Sequence, residues 1–195
     1  MDGDFAALEA LLDTTFYTAD RAGYVVRFGL VDSGYRTDTV YEFCRRVQKV
    51  APSKGAAAKR TPISYTKIDT YPGTGRIIPG GVQLVNFDAN FFKDALDLRL
   101  QVGRSDTGAW LLHRDTDEEY ARQYTSEYHD EETGLWQQRG NQPNHLWDCG
   151  VLQLVALRIL ATQGVLERLL RDRDRTARQP AASEQPRTPQ RSRLW

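Results

Sequence analysis

The spacing of apolar residues changes along the chain and separates predicted helices from predicted strands. Residues 5–16 carry phenylalanine and leucine at helical intervals, which predicts a short amphipathic helix. Residues 24–31 are apolar nearly throughout, a pattern typical of a buried strand. In residues 37–47 apolar side chains recur every three or four positions, which predicts a second helix. Strand, acid-containing turn and helix in this order predict an α/β crossover unit.

The rest of the chain also alternates between predicted helices and strands, and its composition changes near the C-terminus. The longest helical pattern, residues 143–170, is apolar on most sides in its first half, which predicts deep packing. After Arg171 the sequence turns to Arg, Gln, Pro, Ser and Thr, a composition typical of disorder. We therefore expect one domain over residues 1–172 and a disordered, net basic tail over residues 173–195. The other predicted elements are strands at 49–51, 61–71, 81–87, 124–129 and 134–138, and helices at 89–100 and 118–123.

Composition excludes several classes of protein. The 195 residues include 26 basic and 26 acidic side chains, so no global field attracts nucleic acid and any DNA contact must be local. Cys44 and Cys149 have no CxxC or Cys/His spacing, which argues against a zinc site and suits a reducing compartment. No apolar run approaches the roughly 18 residues that a membrane span needs. We expect a cytoplasmic protein without membrane contact.

Two carboxylates are candidates for chemistry, and each has a plainer interpretation. Asp32 follows the buried strand predicted at residues 24–31, and ligands collect at the carboxyl ends of strands in open α/β sheets. An aspartate there is also a common turn former or helix cap. Asp148 and His145 lie three residues apart and share a face of the long helix. The alternative is that Asp148 only favours the helix dipole and His145 is a satisfied polar residue.

Taken together, the two segments favour a metal site. A strand-end aspartate and an aspartate on a later packed helix are an arrangement that binds divalent cations for phosphodiester hydrolysis. Two ions roughly 3.5–4 Å apart can activate water and stabilise the leaving oxygen. Hard oxygen ligands prefer magnesium or manganese to zinc.

Seven short motifs, in a fixed order, carry a family resemblance. They are a strand ending in Asp-Ser-Gly, a Val-Tyr and Phe helix, a Lys-Gly pair, an aspartate before a helical lysine, a tyrosine-glutamine-glutamate run, a tryptophan, and an asparagine before Asp-Cys. In this chain they read Asp32-Ser33-Gly34, Val40-Tyr41 with Phe43, Lys54-Gly55, Asp88 with Lys93, Tyr120 with Gln123 and Glu127, Trp136, and Asn144 with Asp148-Cys149. Up to about Leu170, the chain resembles the nuclease domain of the lambda-type (GpA) terminase large subunits of tailed phages.

The resemblance implies a fold, an activity and partners. The fold would be α/β and ribonuclease-H-like, with a mixed sheet and flanking helices. The activity would be metal-dependent cleavage of double-stranded concatemeric phage DNA. Asp32 and Asp148 would bind two Mg²⁺ or Mn²⁺ ions in a complete site, and His145 would support the second ion. The implied partners are the phage portal and procapsid, the small terminase subunit and the ATPase part of the large subunit, in the bacterial cytoplasm; the tail is a solubilising terminus or docks on the portal.

Basic residues beside this centre could grip phosphates through sequence-independent contacts. The alternative for each is a solvated loop or helix face. The candidates are Lys54, Lys59, Arg60 and Lys93.

The chain departs from the family pattern at its start. The first metal-binding aspartate of ribonuclease-H-like nucleases comes from the first strand, and nothing before Asp32 resembles that strand. We expect the domain to lack its first strands, with Asp88 or Glu127 as partial substitutes; a turn role for Asp88 and a structural role for Glu127 are the alternatives. No GxxxxGK[ST] loop is present, so no ATPase is expected.

A catalytically inactive split or prophage-remnant fragment that binds DNA or portal is the competing interpretation. An unrelated α/β-hydrolase-like enzyme has little support, because the sequence contains no GxSxG motif and no paired Ser and His.

Overall fold

A four-stranded mixed sheet forms the framework of the chain. The computed structural model describes residues 3–18, 21–57, 60–165, 167–168 and 171, so the predicted tail and Lys59 lie outside the described residues. In chain order the elements are α1 (Gly3–Leu12), β1 (Thr15–Tyr17), β2 (Gly23–Val25), β3 (Gly29–Asp32), α2 (Thr37–Arg46), β4 (Val50–Ala56), β5 (Ile63–Thr70), β6 (Ile77–Asp88), α3 (Ala89–Leu100), α4 (Glu118–Tyr124), β7 (Glu127–Asp130), β8 (Leu135–Gln138) and α5 (His145–Thr162).

Strand order in the sheet is β3-β4-β6-β5, with β3, β4 and β6 parallel and β5 antiparallel to β6. Asp32 pairs in register with Ser53, and Ser53 pairs with Val85. The carboxyl end of β3 therefore lies beside the middle of β4. The α/β class with a mixed sheet and flanking helices is confirmed, and the architecture is consistent with a partial ribonuclease-H-like fold.

Both faces of the sheet are covered. Along β6, Val82 and Leu84 point to one face and Val85 and Phe87 to the other, as the two-residue period of a strand requires. The first face packs in a core with Val40, Tyr41, Phe43 and Cys44 of α2 and with Leu12, Val47, Val50, Tyr71 and Ile78. On the second face the Phe87 ring meets Phe92 of α3 edge-on, with centroids 6.2 Å apart.

The strand predicted over residues 24–31 is two strands in the structure. β2 pairs with β1 in an antiparallel hairpin whose residues are exposed, whereas β3 joins the main sheet. An apolar run cannot reveal this division, because exposed and buried strands can be equally rich in β-formers. The strand predicted at 49–51 was in turn too short. Parallel pairing with β6 extends β4 through Lys54-Gly55 to Ala56, beyond the last residue that pairs with β3, despite the weak strand propensity of that segment.

The helix predicted over 143–170 begins at His145 and ends at Thr162. Gly164 follows with a φ of 67°, the left-handed conformation that ends many helices and that glycine adopts without strain. The chain divides after Arg158, and the elements up to that residue form one compact unit that contains the sheet. Among the described residues, no helix is both long and apolar enough to cross a membrane.

Candidate metal centre

Asp32 is fixed by hydrogen bonds around the end of β3. Its Oδ1 accepts from the Gly34 amide at 3.0 Å, which turns the chain back toward α2. The next residue, Ser33, is buried and donates both its amide (2.9 Å) and its hydroxyl (2.8 Å) to the Ser53 carbonyl. Ser53 in turn donates its hydroxyl to the Val31 carbonyl at 3.1 Å. These bonds join β3 to β4 directly beneath the carboxylate, so its backbone position is well defined.

The first turn of α5 carries Asp148, and a buried tryptophan anchors it. Trp147 is 2% exposed; its ring lies edge-on to Tyr124 at 5.9 Å and tilted against Trp136 at 5.3 Å. Gln123 accepts a hydrogen bond from the Leu146 amide at 3.0 Å, which satisfies one of the free N–H groups of the helix start. Asp148 follows Trp147 directly, so this packing sets where its carboxylate lies.

Close packing at Gly150 holds the same turn against α3 and α4. A Cβ at this position would lie 2.6 Å from the Tyr124 hydroxyl oxygen and 3.0 Å from Leu96 Cδ2. Both neighbours are buried, so neither can move aside freely. The short approach therefore depends on the absence of a side chain.

We expect Gly150→Ala to destabilise the protein by about 1 kcal/mol net. Overpacking lowers the free energy of unfolding by ~1–3 kcal/mol, and the better helix propensity of alanine offsets ~1 kcal/mol of that loss. Urea unfolding followed by circular dichroism measures the change. Cys149→Ala, at the exposed neighbouring position, is the control and should stay within about 0.5 kcal/mol. A Gly150→Ala variant more stable than the wild type would contradict the packing.

A buried ion-pair network lies next to Asp148. Glu127, at the start of β7, has a side chain only 3% exposed. One of its oxygens accepts from Lys93 Nζ at 2.5 Å and the other from Asn144 Nδ2 at 2.7 Å. The same Lys93 Nζ lies 3.7 Å from Asp148 Oδ1. Glu127 thus links α3 to the residue that precedes α5.

A second set of contacts holds the β7–β8 hairpin to α3, so that Glu127 and Lys93 stay together. The Trp136 indole N–H donates to Asp94 Oδ1 at 2.7 Å, and the Trp136 amide donates to Asn90 Oδ1 at 3.3 Å. Asn90 and Asp94 lie four residues apart on α3 and therefore share a face with each other. These two hydrogen bonds fix the position of the hairpin on α3, the helix that carries Lys93.

The pKa of Asp148 is shifted by its burial and by several charged neighbours, Asp32 among them. Partial burial raises the pKa of Asp148, and the Lys93 ammonium opposes that shift. The charges of Glu127 and Asp32 raise the pKa further, while His145 lowers it. The charge of Asp32 thus acts on Asp148, although 115 residues separate them in the sequence. Asp32 is exposed and the Asp148 side chain is 49% exposed, so both carboxylates are open to solvent.

Asp88 lies apart from this pair. Its Oδ1 accepts from the Phe91 amide at 3.0 Å, so the carboxylate caps α3. Asp88 pairs with Ala56, three residues beyond Ser53 in the register. With ~3.3 Å per residue and ~4.8 Å between strands, its Cα lies roughly 14 Å from that of Asp32. The structure therefore does not bring Asp88 together with Asp32, and a helix cap explains its position.

The predicted phosphate-binding residues differ in exposure. Lys54 is exposed and follows Ser53 on β4, one residue beyond the level of Asp32, and Arg60 is exposed after the same strand. Lys93 is only 14% exposed and already pairs with Glu127. Lys54 and Arg60 therefore suit contacts with an external phosphate better than Lys93 does.

Asp32 and Asp148 are the carboxylates that could hold a divalent cation. Mg²⁺ retains several waters and is often held by one or two carboxylates together with substrate phosphates, so two carboxylates would be enough protein ligands. Among the described residues, no group of three His, Cys, Asp or Glu side chains is arranged to hold a metal. A second ion would thus need ligands that these residues do not provide.

Glu127 and Lys93 were predicted from the sequence as a partial metal ligand and a phosphate-binding residue, not as partners of each other. Both occur in the motifs of the family resemblance, but Glu127 opens a short polar strand and Lys93 lies on an ordinary amphipathic helix. The available signal was that a glutamate, a lysine and an asparagine near Asp148 could satisfy one another if buried. Only the packing of the hairpin on α3 reveals that they are.

Comparison with known proteins identifies the family of the chain. Residues 1–168 match the family model described as the terminase large subunit gpA, endonuclease domain. No curated protein and no solved structure matches the chain. Since the match covers residues 1–168 of 195, the chain belongs to the gpA terminase large subunit endonuclease-domain family.

Proposed function

We propose that this chain hydrolyses double-stranded DNA in a reaction that depends on Mg²⁺ or Mn²⁺ bound by Asp32 and Asp148. The observation that carries the proposal is the placement of these carboxylates, one at the carboxyl end of β3 and the other in the first turn of α5, 3.7 Å from Lys93 Nζ. Repulsion between them has no structural benefit, and it is relieved when a cation binds. In a member of an endonuclease family, the bound cation would serve the hydrolysis of DNA.

The chain's own residues have distinct roles in this proposal. Asp32 and Asp148 hold the ion, and His145, in the exposed first turn of α5, adjusts the charge on Asp148. Lys54 and Arg60 contact phosphates outside the cut bond, where they give affinity without sequence preference. The chemistry that Mg²⁺ or Mn²⁺ supplies at such a site is activation of water and neutralisation of phosphate charge.

The substrate and partners follow from the family. The DNA is the concatemer that phage replication produces, and cutting it accompanies packaging in the cytoplasm of the bacterial host. We propose that the ATPase part of the large subunit, the small terminase subunit and the portal of the procapsid work with this domain. The role of residues 173–195 in portal docking stays a prediction.

The test is cleavage of supercoiled plasmid by the purified chain with MnCl₂ or MgCl₂. We expect nicked and linear DNA with either metal and none with EDTA. Asp69→Asn, which removes an exposed carboxylate on β5 outside the site, is the matched control and should cleave like the wild type. Cleavage that persists in EDTA would contradict a metal-dependent mechanism.

A second candidate is an inactive module that binds DNA or the portal. It is favoured by the lack, among the described residues, of any three-ligand group suited to a metal. A folded chain that shifts DNA in a gel but never nicks it, with either metal, would support this candidate over the nuclease.

A further inference from the structure

We infer that Lys93 supplies the second positive charge of the centre, so that this chain binds one divalent ion rather than two. The inference rests on the proposed function, because it concerns the same carboxylates. It assigns Lys93 to the metal centre itself instead of to an external phosphate contact.

The position of the ammonium carries the argument first. Lys93 Nζ lies between two carboxylates, 2.5 Å from Glu127 Oε2 and 3.7 Å from Asp148 Oδ1. The Lys93 side chain is 14% exposed and that of Glu127 is 3% exposed, so solvent screens their pairing little. A cation that bridged Glu127 and Asp148 would need the volume that this ammonium fills.

The charge balance gives the second argument. The charged groups that act on Asp148 are Lys93, Glu127 and Asp32, with His145 beside them. With histidine counted as neutral, three carboxylates and one ammonium sum to −2, the charge that one divalent ion neutralises. Two divalent ions would leave the same cluster at +2. Lys93 therefore neutralises one of the three carboxylates, and one divalent ion balances the other two.

Lys93 also has a fixed orientation that a phosphate-binding lysine lacks. Glu127 holds the ammonium, and Asn144 holds Glu127 from the other side at 2.7 Å. Because Asn144 directly precedes α5, the same contacts set the start of the helix that carries Asp148. The lysine therefore places a permanent positive charge at a defined point beside the ion.

Counting bound Mn²⁺ tests the inference without relying on activity. Titration of the purified chain with MnCl₂, followed by calorimetry and by the electron paramagnetic resonance of free Mn²⁺, should give one ion per chain. Lys93→Gln brings the cluster to −3, so a second Mn²⁺ should bind and the first should bind at least about tenfold tighter. Lys93→Arg keeps the charge and should still bind one.

A charge-matched double variant covers the case in which Lys93→Gln fails to fold. Lys93→Gln with Glu127→Gln removes one charge of each sign and restores −2, so it should bind one Mn²⁺ with near wild-type affinity. Two ions bound to the wild type, or a Lys93→Gln variant that still binds one with unchanged affinity, would overturn the role of Lys93 while leaving the nuclease proposal intact. If no variant binds Mn²⁺ and none nicks DNA, both proposals are wrong.

Discussion

Asp148→Asn should reduce metal-dependent plasmid cleavage by on the order of 10³-fold or more, because it removes one of the two carboxylates that hold the ion. The substitution preserves shape, so the Trp147 anchor and the first turn of α5 should be unaffected. Initial rates of nicking at a fixed MnCl₂ concentration measure the loss. Asp32→Asn should have an effect of similar size, since the two carboxylates act together.

The same Asp148→Asn variant should lose activity but not folding stability when no metal is present. The pKa of Asp148 is raised in the folded chain, so charging this carboxyl as the pH rises costs the folded state more than the unfolded state. Without metal, Asp148→Asn should therefore be at least as stable as the wild type at neutral pH. That advantage should fade as the pH falls through the raised pKa and the wild-type carboxyl becomes protonated. Urea midpoints at a series of pH values test this.

Two outcomes would count against this account of Asp148. Unchanged cleavage by a folded Asp148→Asn chain would remove Asp148 from the centre. A variant that unfolds at neutral pH would show that the carboxylate stabilises the fold through Lys93, as part of a structural ion pair 3.7 Å in length. Asp69→Asn again serves as the control for a general loss of negative charge.

Glu127→Ala should destabilise the protein by about 2–4 kcal/mol. Breaking a buried ion pair from one side costs ~3–5 kcal/mol, because a desolvated charge is left behind. The loss should be somewhat smaller here, since Lys93 retains Asp148 as a neighbour. Asn144 also loses the acceptor that positions the start of α5. Chemical unfolding without metal, read by circular dichroism, gives the value.

An exposed ion pair in the same chain provides the comparison. Lys67 and Asp69 on β5 lie 2.9 Å apart, with side chains 68% and 63% exposed. Solvent and rotamer entropy offset most of the attraction in such a pair, so Asp69→Ala should change stability by no more than about 0.5 kcal/mol. If Glu127→Ala cost as little as Asp69→Ala, the Glu127–Lys93 pair would have to be solvated, and the argument for a fixed ammonium would fail.

The helices and the class of fold could be predicted from the sequence because their signals are local. The helix predicted over residues 89–100 matches α3, and the one over 37–47 extends one residue beyond α2. In each case the apolar face repeats with the helical period, and the adjoining segments contain strand-forming residues. Errors occurred where pairing partners decide. β4 runs through Lys54-Gly55 because β6 pairs with that segment, and β2 separates from β3 because β1 pairs with it.

The sequence alone determined that Asp32 ends a strand and that Asp148 and His145 open a packed helix. It also supplied the ordered motifs that agree with the endonuclease family. Only the tertiary structure decided which side chains share the centre. It separated Asp88, which caps α3, and it joined Glu127 and Lys93 to Asp148. The physical reason is that capping and periodicity act within a few residues, whereas ion pairing and desolvation depend on contacts between segments far apart in the chain.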